Sequence, residues 1–255
     1  GYTFTTTQIP APLNFNDNFE NGLSWTLVNG TQTNKWFYGT AVSNSPTHSL
    51  YVTNDNGTSN VYSNGNSTVV QAYRDIAVPT GTTEVNLAFD WRNQGEGTVG
   101  GTIYDYVTAF VVPTSYSPVA GTNMVGANLN GGTQITGLLF GNSGWTNFSQ
   151  TFNASAYAGN TMRVVFQWRN DGSGGSNPPG AVDNVVLTRV TCPQPSALTL
   201  TPGSITQTGA AFTWTETASA TAWEILIQPA NAPAPTETST GIRVDGTPAY
   251  TATTL

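Results

Sequence analysis

Cysteine and histidine are nearly absent from this chain of 255 residues, which contains only Cys192 and His48. A single cysteine cannot form a disulfide within the chain, and one cysteine with one histidine cannot build a Cys/His zinc site. A Ser-His-Asp triad would have to use His48, and Cys192 stands before a proline without a base beside it. We therefore predict no catalytic residues and a protein that is not an enzyme.

Charge is also scarce, because Asp, Glu, Lys and Arg make up 8% of the residues, against about a quarter in ordinary globular domains. The net charge is −7, and only seven residues are basic. Nucleic-acid binding needs a basic face and a polybasic membrane contact needs clustered Lys and Arg, so we predict neither. Thr, Asn, Ser and Gly replace the missing charge, which is typical of secreted β-rich proteins. We predict a secreted or cell-surface location.

Long apolar runs and helical periodicity are missing as well, whereas strand-like alternation is frequent. No run approaches the length of a membrane span, so we predict no direct membrane insertion. Val85, Leu87 and Phe89 fall on one face of an extended segment, and residues 161–168 alternate in the same way. Many such segments at even spacing, separated by turn residues, predict an all-β protein with a jelly-roll β-sandwich.

The pattern changes near residues 192–195, which read Cys-Pro-Gln-Pro. After this linker the apolar segments are short and spaced like the antiparallel strands of an immunoglobulin-like sandwich. We predict an extended lead-in over residues 1–13, a jelly-roll domain over residues 14–191 and a second β-sandwich over residues 192–255.

One acid stands inside an apolar strand. Asp183 lies in the run 181–187, which follows a rigid Pro-Pro-Gly turn. A buried, unpaired carboxylate is costly, so backbone groups, an arginine or a metal must satisfy it. Near the start of the chain, strand alternation would put Asn18 and Glu20 on one face and Phe19 in the core. We hypothesise a calcium site that joins Asn18 and Glu20 to Asp183. Backbone hydrogen bonds to Asp183 and a plain surface position for Glu20 are the alternatives.

Residues 54–57, which read Asn-Asp-Asn-Gly, match the front half of a calcium loop. However, no Glu follows at the spacing of an EF-hand, and no helix is predicted on either side. A plain turn is the preferred interpretation.

Three further acids, Asp90, Glu96 and Asp105, lie close together in sequence. Glycoside hydrolysis would need two carboxylates facing each other across a groove, and the sequence leaves such a pair open. The preferred interpretation is that these acids pair with Arg92 and Arg163 or cap turns.

Aromatic residues make up 11% of the chain. Jelly rolls can stack sugars on exposed aromatic rings beside amide and carboxylate hydrogen bonds. We expect most of the rings to lie in the core. The candidate ligand-binding platforms are Trp36, Tyr38, Tyr62, Tyr104 and Tyr116.

Several short strings follow one another in a characteristic order. They are 18–22 (Asn-Phe-Glu-Asn-Gly) with Trp25 downstream, 49–55 (Ser-Leu-Tyr-Val-Thr-Asn-Asp), 87–91 (Leu-Ala-Phe-Asp-Trp), 105–106 (Asp-Tyr), Trp145, 163–168 (Arg-Val-Val-Phe-Gln-Trp) and 178–185 (Pro-Pro-Gly-Ala-Val-Asp-Asn-Val). With these strings, residues 14–190 resemble the MAM-like jelly roll of bacterial surface proteins, in the cleaved-adhesin and choice-of-anchor J group.

The last quarter of the chain resembles a second family. Residues 193–255 look like the first part of a fibronectin type III domain, with Trp214 in the second strand and Trp223 opening the third. The last strands of that pattern are missing, so the resemblance implies a truncated domain and further domains beyond residue 255. In similar tandem domains, a cysteine at the position of Cys192 often pairs with one at the end of the second domain.

The first resemblance implies a structural Ca²⁺ held between the first and last strands of the jelly roll. Carried over to this sequence, its ligands are Asn18, Glu20 and Asp183, with Asp17 and Asp90 as outside candidates. The family's motif begins with Asp where this chain has Asn18, and an amide in place of a carboxylate lowers the charge of the site.

The resemblance also implies a function. It indicates a non-catalytic adhesion or binding module of a multidomain bacterial surface protein, exported by the type IX route, whose ligand is a glycan or a protein. The accessory region of a secreted hydrolase and a structural stalk or filament component are the alternatives.

Overall fold

A computed structural model describes residues 8–191, 195–217, 220–236 and 239–253 of the chain. Cys192 and the first part of the predicted lead-in lie outside these ranges. The chain divides into two compact units, residues 1–189 and 190–255. The strands of the first unit are β1 (Ala11–Pro12), β2 (Phe15–Asp17), β3 (Thr26–Val28), β4 (Lys35–Gly39), β5 (Ser49–Thr53), β6 (Thr68–Ala77), β7 (Glu84–Asn93), β8 (Glu96–Gly97), β9 (Ile103–Pro113), β10 (Thr133–Gln134), β11 (Asn142–Asn153), β12 (Thr161–Asn170) and β13 (Ala181–Arg189). A short 3-10 helix, Ser155–Tyr157, separates β11 from β12.

The strands of the first unit form two sheets. In the first sheet the order is β1-β6-β12-β9-β10, with β3 added on β6 and β8 on β9. In the second sheet the order is β11-β7-β13-β5-β4, with β2 added on β13. The long strands β6, β7, β9, β11, β12 and β13 alternate between the two sheets along the chain, as they do in a jelly roll. The all-β sandwich predicted from the sequence is confirmed.

An aromatic core fills the space between the two sheets. Every second residue of β7 is buried, from Val85 to Asn93, which confirms the alternation expected from the sequence. Phe166 of the first sheet packs on Phe89 of the second and on Trp25, with ring centroids 4.8 and 5.2 Å apart. Full burial of such a side chain stabilises the fold by about 1.5–3 kcal/mol, so these contacts hold the sheets together.

The outer face of the first sheet is covered by the segment that follows β9. Its side chains close a second apolar cluster, made of Phe110, Val112, Met124, Leu129 and Val165. Beside the cluster, Arg163 donates to both oxygens of Asp75 at 2.7 and 3.0 Å and lies over the Tyr73 ring. The expected pairing of Arg163 with Asp90, Glu96 or Asp105 is therefore wrong.

The second unit is also built of strands. They are β14 (Ser196–Leu200), β15 (Ala210–Thr215), β16 (Ala222–Ile225), β17 (Ile242–Asp245) and β18 (Ala249–Ala252). One sheet has the order β14-β15-β18, and β16 pairs with β17 in the other. Trp214 and Trp223 pack edge to face with centroids 5.7 Å apart. In the part of the chain that the structure describes, no helix is long and apolar enough to cross a membrane.

Candidate functional site

The chain turns sharply after β2, and this turn corrects the strand that was expected over Asn18 and Glu20. β2 ends at Asp17, and Phe19 has a φ of 62°, in a region that residues with a Cβ rarely adopt. Asp17 Oδ1 accepts the Phe19 N–H at 2.8 Å and so holds the turn. Phe19 is fully buried, as expected. The turn brings the Asn18 carbonyl and the Glu20 side chain to the same loop, the one before β5.

Asp183 is fully buried, and main-chain donors satisfy it. The N–H groups of Asn44 and Ser45 both donate to its Oδ2 at 2.7 Å. The N–H of Asn184 donates to its Oδ1, also at 2.7 Å. Charge-assisted hydrogen bonds of this kind offset the cost of taking a carboxylate out of water. Backbone satisfaction of Asp183, one of the alternatives from the sequence, is thus present.

Glu20 is held by the same loop. Its Oε1 accepts the N–H groups of Thr47 and His48 at 3.1 and 2.8 Å, and its Oε2 accepts the Thr47 hydroxyl. The Thr47 hydroxyl and the His48 N–H lower the pKa of Glu20 from 4.5 to about 2. The carboxylate is therefore ionised at any pH near neutral, as a cation ligand must be.

Four oxygen atoms surround the Ser45 hydroxyl between the turn, the loop and β13, which makes five oxygens in all. Ser45 Oγ lies 2.8 Å from the Asn18 carbonyl oxygen, 3.0 Å from Asp183 Oδ1, 3.1 Å from the His48 carbonyl oxygen and 3.2 Å from Glu20 Oε1. We call these five atoms the oxygen cage. Three residues named from the sequence meet here, although Asn18 contributes its main-chain carbonyl rather than its side-chain amide.

Asp90 lies outside the oxygen cage. Its carboxylate accepts side-chain amide hydrogen bonds from Asn147 at 2.9 Å, Asn184 at 2.9 Å and Asn44 at 2.7 Å. Burial alone would raise the pKa of Asp90, and the three amides lower it overall. Asp90 accepts three amide hydrogen bonds, which leave its carboxylate room for a further donor. Its role as an outside candidate for the same metal stays a prediction.

The amides around Asp90 belong to the outer face of the second sheet. Asp90 and Arg92 alternate with the buried residues of β7 and therefore point away from the core. Across the β7–β11 ladder, Asn86 donates to Ser149 and Thr151 at 3.2 and 3.3 Å. We call this surface the polar sheet face. It presents amides, hydroxyls and the Asp90 carboxylate, where the first sheet presents a covered apolar cluster.

Arg92 differs from the other polar groups of this face. Its Nε is buried without a hydrogen-bond acceptor among the described residues, and burial lowers the pKa of the guanidinium. The predicted pairing of Arg92 with a nearby acid does not occur in the described part of the chain, where the ion pairs involve other residues.

The five candidate aromatic platforms fall in different environments. Trp36 is 1% exposed and Tyr62 5% exposed, so neither ring offers a face to a ligand, and both assignments are corrected. Tyr38 is half-buried and stacks on His48 with centroids 5.1 Å apart. Tyr116 is half-buried against the second apolar cluster. Tyr104, at 39% exposure, is the most open of the five.

Two other acids close local turns. Asp17 Oδ2 accepts the Ser24 hydroxyl at 2.5 Å and the Trp25 indole N–H at 3.1 Å, so its donors are structural. Asp55 Oδ1 accepts the Thr53 hydroxyl at 2.5 Å and the Ser59 N–H at 3.0 Å. The segment around Asp55 is a turn held by its own side chain, as preferred from the sequence.

A third group of acids lies at the ends of β8, β9 and β12. Carboxylate oxygens of Glu96, Asp105 and Asp171 all lie within 4.8 Å of one another. Asp105 is fully buried, and Tyr62 donates to it at 2.6 Å. We call these three residues the acid triad. Sequence proximity had suggested two of its members, and nothing in the sequence had connected Asp171 to them.

The sequence did not reveal the residues that complete the oxygen cage and the polar sheet face. Ser45 and Asn44 lie in a loop of Ser, Asn and Pro that has no apolar period and no metal-ligand spacing. Asn147 lies in β11, more than fifty residues from Asp90 along the chain. Only Asn184 had a usable signal, because it follows Asp183 directly.

No family model and no curated protein sequence matches the chain. Solved structures do match it. The CBM22-2 xylan-binding domain from Paenibacillus barcinonensis Xyn10C is 14% identical with a TM-score of 0.41, over 69% of this chain and 99% of that chain. A cyclase from Fischerella sp. TAU is 15% identical with a TM-score of 0.41, over 71% of this chain and 96% of that chain.

The chain is also similar to part of a phage protein. The enzymatically active domain of bacteriophage CBA120 tailspike protein 4 is 14% identical with a TM-score of 0.38 over 68% of this chain. The match covers 20% of the tailspike chain, about a fifth of its length. At these identities and TM-scores, the three likenesses leave the function to be argued from the geometry of this chain.

Proposed function

We propose that the first unit is a calcium-stabilised module that binds a glycan through the polar sheet face. The observation that carries the binding role is the partly exposed cluster of Asp90 with its three asparagine amides. The observation that supports the ion is the oxygen cage, where four oxygens crowd around the hydroxyl of Ser45.

The oxygen cage fits a hard cation. A serine hydroxyl has one hydrogen, so it can donate to only one of its four oxygen neighbours. The remaining oxygen pairs, 2.8–3.2 Å apart, would face each other with lone pairs alone. Oxygens that surround one Ca²⁺ at 2.3–2.6 Å are spaced roughly 3 Å apart, and Ca²⁺ accepts carbonyl, hydroxyl and carboxylate oxygens together.

The charge of the cage agrees with this assignment. Glu20 and Asp183 would supply two negative charges, and Asn18 and His48 would supply neutral main-chain carbonyls. A bound Ca²⁺ would neutralise the two carboxylates and tie the turn after β2 and the loop before β5 to β13. The ion would thus act in folding stability and not in chemistry.

The polar sheet face fits a sugar. Sugar hydroxyls both donate and accept, and the face offers matched partners: the Asp90 carboxylate, the carbonyl oxygens of its asparagines and the hydroxyl of Ser149. Arg92 adds a half-buried guanidinium to the same face. Sites of this kind fix orientation with a few well-placed polar groups. On the first sheet, the corresponding face is covered by the apolar cluster.

The cellular location, the domain organisation and the export route are also proposals. The low charge content supports a secreted or cell-surface protein, and adhesion is the role we propose for the binding. The division into a jelly-roll domain over residues 14–191 and a truncated fibronectin type III-like domain over residues 192–255 is proposed on the resemblance, as are further domains and type IX export. We propose binding rather than catalysis.

The binding role is tested by glycan-array screening of the whole chain, followed by calorimetry with the strongest ligand. Asp90→Ala removes the acceptor that organises three amides, and we expect it to weaken binding at least tenfold, about 1.4 kcal/mol. Arg92→Gln should weaken binding as well.

Glu84→Ala is the matched control. Glu84 begins the same strand, six residues before Asp90 and roughly 20 Å away, and its removal changes the net charge equally. Equal affinity of wild type and Asp90→Ala, or no glycan bound by the wild type, would count against the polar sheet face as a glycan site.

A further inference from the structure

The acid triad is assembled by strand pairing and is short of positive charge. Glu96 of β8 lies opposite Asp105 of β9 in the ladder, and Asp171 follows directly after β12. In the described residues, the ion pairs are His48–Glu20, Arg163–Asp75 and Arg243–Asp245, so none involves the triad. Three carboxylates thus share a small space without a basic partner.

Hydrogen-bond donors do not make up for the missing charge. Asp105 Oδ2 accepts the Tyr62 hydroxyl at 2.6 Å, and its Oδ1 accepts the Asp171 N–H at 3.1 Å. Each oxygen of Asp105 thus has one donor, and the other acidic groups within 4.8 Å are Glu96 and Asp171.

Two buried oxygens, one in the triad and one in a neighbouring residue, have no hydrogen-bond donor among the described residues. One is Glu96 Oε2, and the other is Oδ1 of Asn93, a residue with 0% exposure. The Asn93 amide nitrogen donates to the main-chain oxygens of Asp105 and Leu139 at 3.3 and 2.9 Å, which fixes its orientation. The free atom is therefore the oxygen. It lies 3.1 Å from the position that a Cβ on Gly95 would take, and Gly95 is the residue before Glu96. An unsatisfied buried acceptor calls for a water or a cation.

The loop after β12 closes over the carboxylates. A Cβ placed on Gly174 would lie 2.5 Å from Glu96 Oε1, and one placed on Gly175 would lie 2.5 Å from Asp105 Oδ2. Only glycine lets the main chain approach this closely. A groove of about 370 Å³ is lined by Glu96 and Gly175 among others, so it borders the triad on the side of Glu96.

We propose that Glu96, Asp105 and Asp171 form a second divalent-cation site, separate from the oxygen cage and suited to Ca²⁺. The ligands are oxygens throughout, without the His or Cys that Zn²⁺ prefers. The three come from two strands and a loop, a mixed geometry that Ca²⁺ tolerates better than Mg²⁺ does. A bound ion would fasten the loop after β12 to β8 and β9.

Ion counting with the whole chain tests the proposal. Native mass spectrometry and calcium calorimetry on chelator-treated protein should find one ion more in the wild type than in Asp171→Asn or Glu96→Gln. Asp171→Asn keeps the side-chain oxygen that accepts the Ser173 N–H at 3.0 Å, so the loop should retain its turn. Either variant should weaken calcium at this site at least tenfold.

Terbium luminescence gives a second reading. Tyr62 contacts Asp105 and packs edge to face on Trp168 with centroids 5.3 Å apart, so both rings can sensitise Tb³⁺ held by the triad. Asp171→Asn should abolish that signal, whereas Asp55→Asn, the matched control, should keep it. If wild type, Asp171→Asn and Glu96→Gln bind the same number of ions, the second site does not exist. This outcome is distinct from failure of the oxygen cage, which Glu20→Gln reports.

Discussion

The oxygen cage and the acid triad place carboxylates in the same domain under opposite conditions. In the cage, Asp183 and Glu20 are each bonded to main-chain N–H groups, and the crowding arises among oxygens around Ser45. In the triad, the crowding arises among the carboxylates themselves, which have few donors. Without an ion, the cage should therefore remain folded, whereas the triad should be destabilised by repulsion among its carboxylates.

This difference separates two uses of a cation. At the cage, main-chain hydrogen bonds already stabilise the two carboxylates. A bound calcium ion should therefore increase the free energy of unfolding further. At the triad, a bound ion would remove the repulsion among the three carboxylates. Removing the ion should therefore lower stability, whereas removing one carboxylate in the absence of the ion should raise it. Mutations that change charge without changing size can tell these cases apart.

The largest effect is expected from Asp183→Ala. The change removes a fully buried side chain and leaves the N–H groups of Asn44, Ser45 and Asn184, which lie in partly buried hydrogen bonds, without their acceptor. Unsatisfied buried donors cost about 1–3 kcal/mol each, so we expect unfolding free energy to fall by roughly 3–5 kcal/mol. Urea unfolding followed by tryptophan fluorescence measures the change.

Glu20→Gln serves as the gentler companion, because glutamine keeps an oxygen for the Thr47 and His48 N–H groups. Wild type should melt about 5–10 °C higher at calcium concentrations near 100 times Kd than in chelator. Glu20→Gln should lose most of that difference. A wild-type melting temperature that ignores calcium and chelator alike would falsify the structural ion at the cage.

Ser45→Ala should have the next largest effect. It removes the hydroxyl at the centre of the cage and leaves the Ser45 N–H bond to Asp183 intact. We expect a loss of about 1 kcal/mol in chelator, typical of one hydrogen bond, and a larger loss in calcium. If Ser45→Ala lowers the unfolding free energy equally with and without calcium, the Ser45 hydroxyl makes hydrogen bonds and does not ligate the ion. Ser149→Ala, on the polar sheet face, is the matched serine control.

Much of the fold could be predicted from the local alternation of apolar residues, whereas the sites could be predicted only in part. Alternation in β7 predicted its buried face, because side chains of a strand alternate whatever the strand pairs with. Asp183 stood out because a charge inside an apolar run requires a partner. The same reasoning failed at Asn18, where Phe19 adopts a positive φ that no alternation rule anticipates.

Partners that come from distant segments could not be predicted. Ser45 meets Asp183 across more than a hundred residues, through a loop whose composition indicates only a turn. Asp171 joins Glu96 and Asp105 because β12 pairs with β9, and that register depends on the whole sheet. Trp36 and Tyr62 were proposed as platforms because aromatic identity does not reveal burial.

A smaller effect of opposite sign is expected from Asp171→Asn. Removing one charge from the triad relieves repulsion, so in chelator we expect unfolding free energy to rise by roughly 0.5 kcal/mol. In saturating calcium the gain should disappear, since a ligand is lost as well. Urea unfolding under both conditions measures this crossover. A variant less stable than wild type in chelator would show that the triad is not strained, and the contrast with the cage would fail.

The smallest effect is expected at Asp55, which accepts hydrogen bonds as the cage carboxylates do. Among the described residues, it belongs to no cluster of acids that could hold a metal. The Ser59 and Thr53 hydroxyls lower the pKa of Asp55 from 3.8 to about 2. Because the folded-state pKa is depressed, the stability it contributes is present above pH 4 and is lost as pH falls toward 2. NMR titration of the Asp55 carboxyl carbon should give that pKa, and Asp55→Asn should flatten the acid limb of stability slightly. Calcium should change neither the Asp55 pKa nor the acid limb of stability, because hydrogen-bond donors alone hold this carboxylate. An Asp55 pKa that depends on calcium would mean that carboxylates already satisfied by donors also bind ions in this fold.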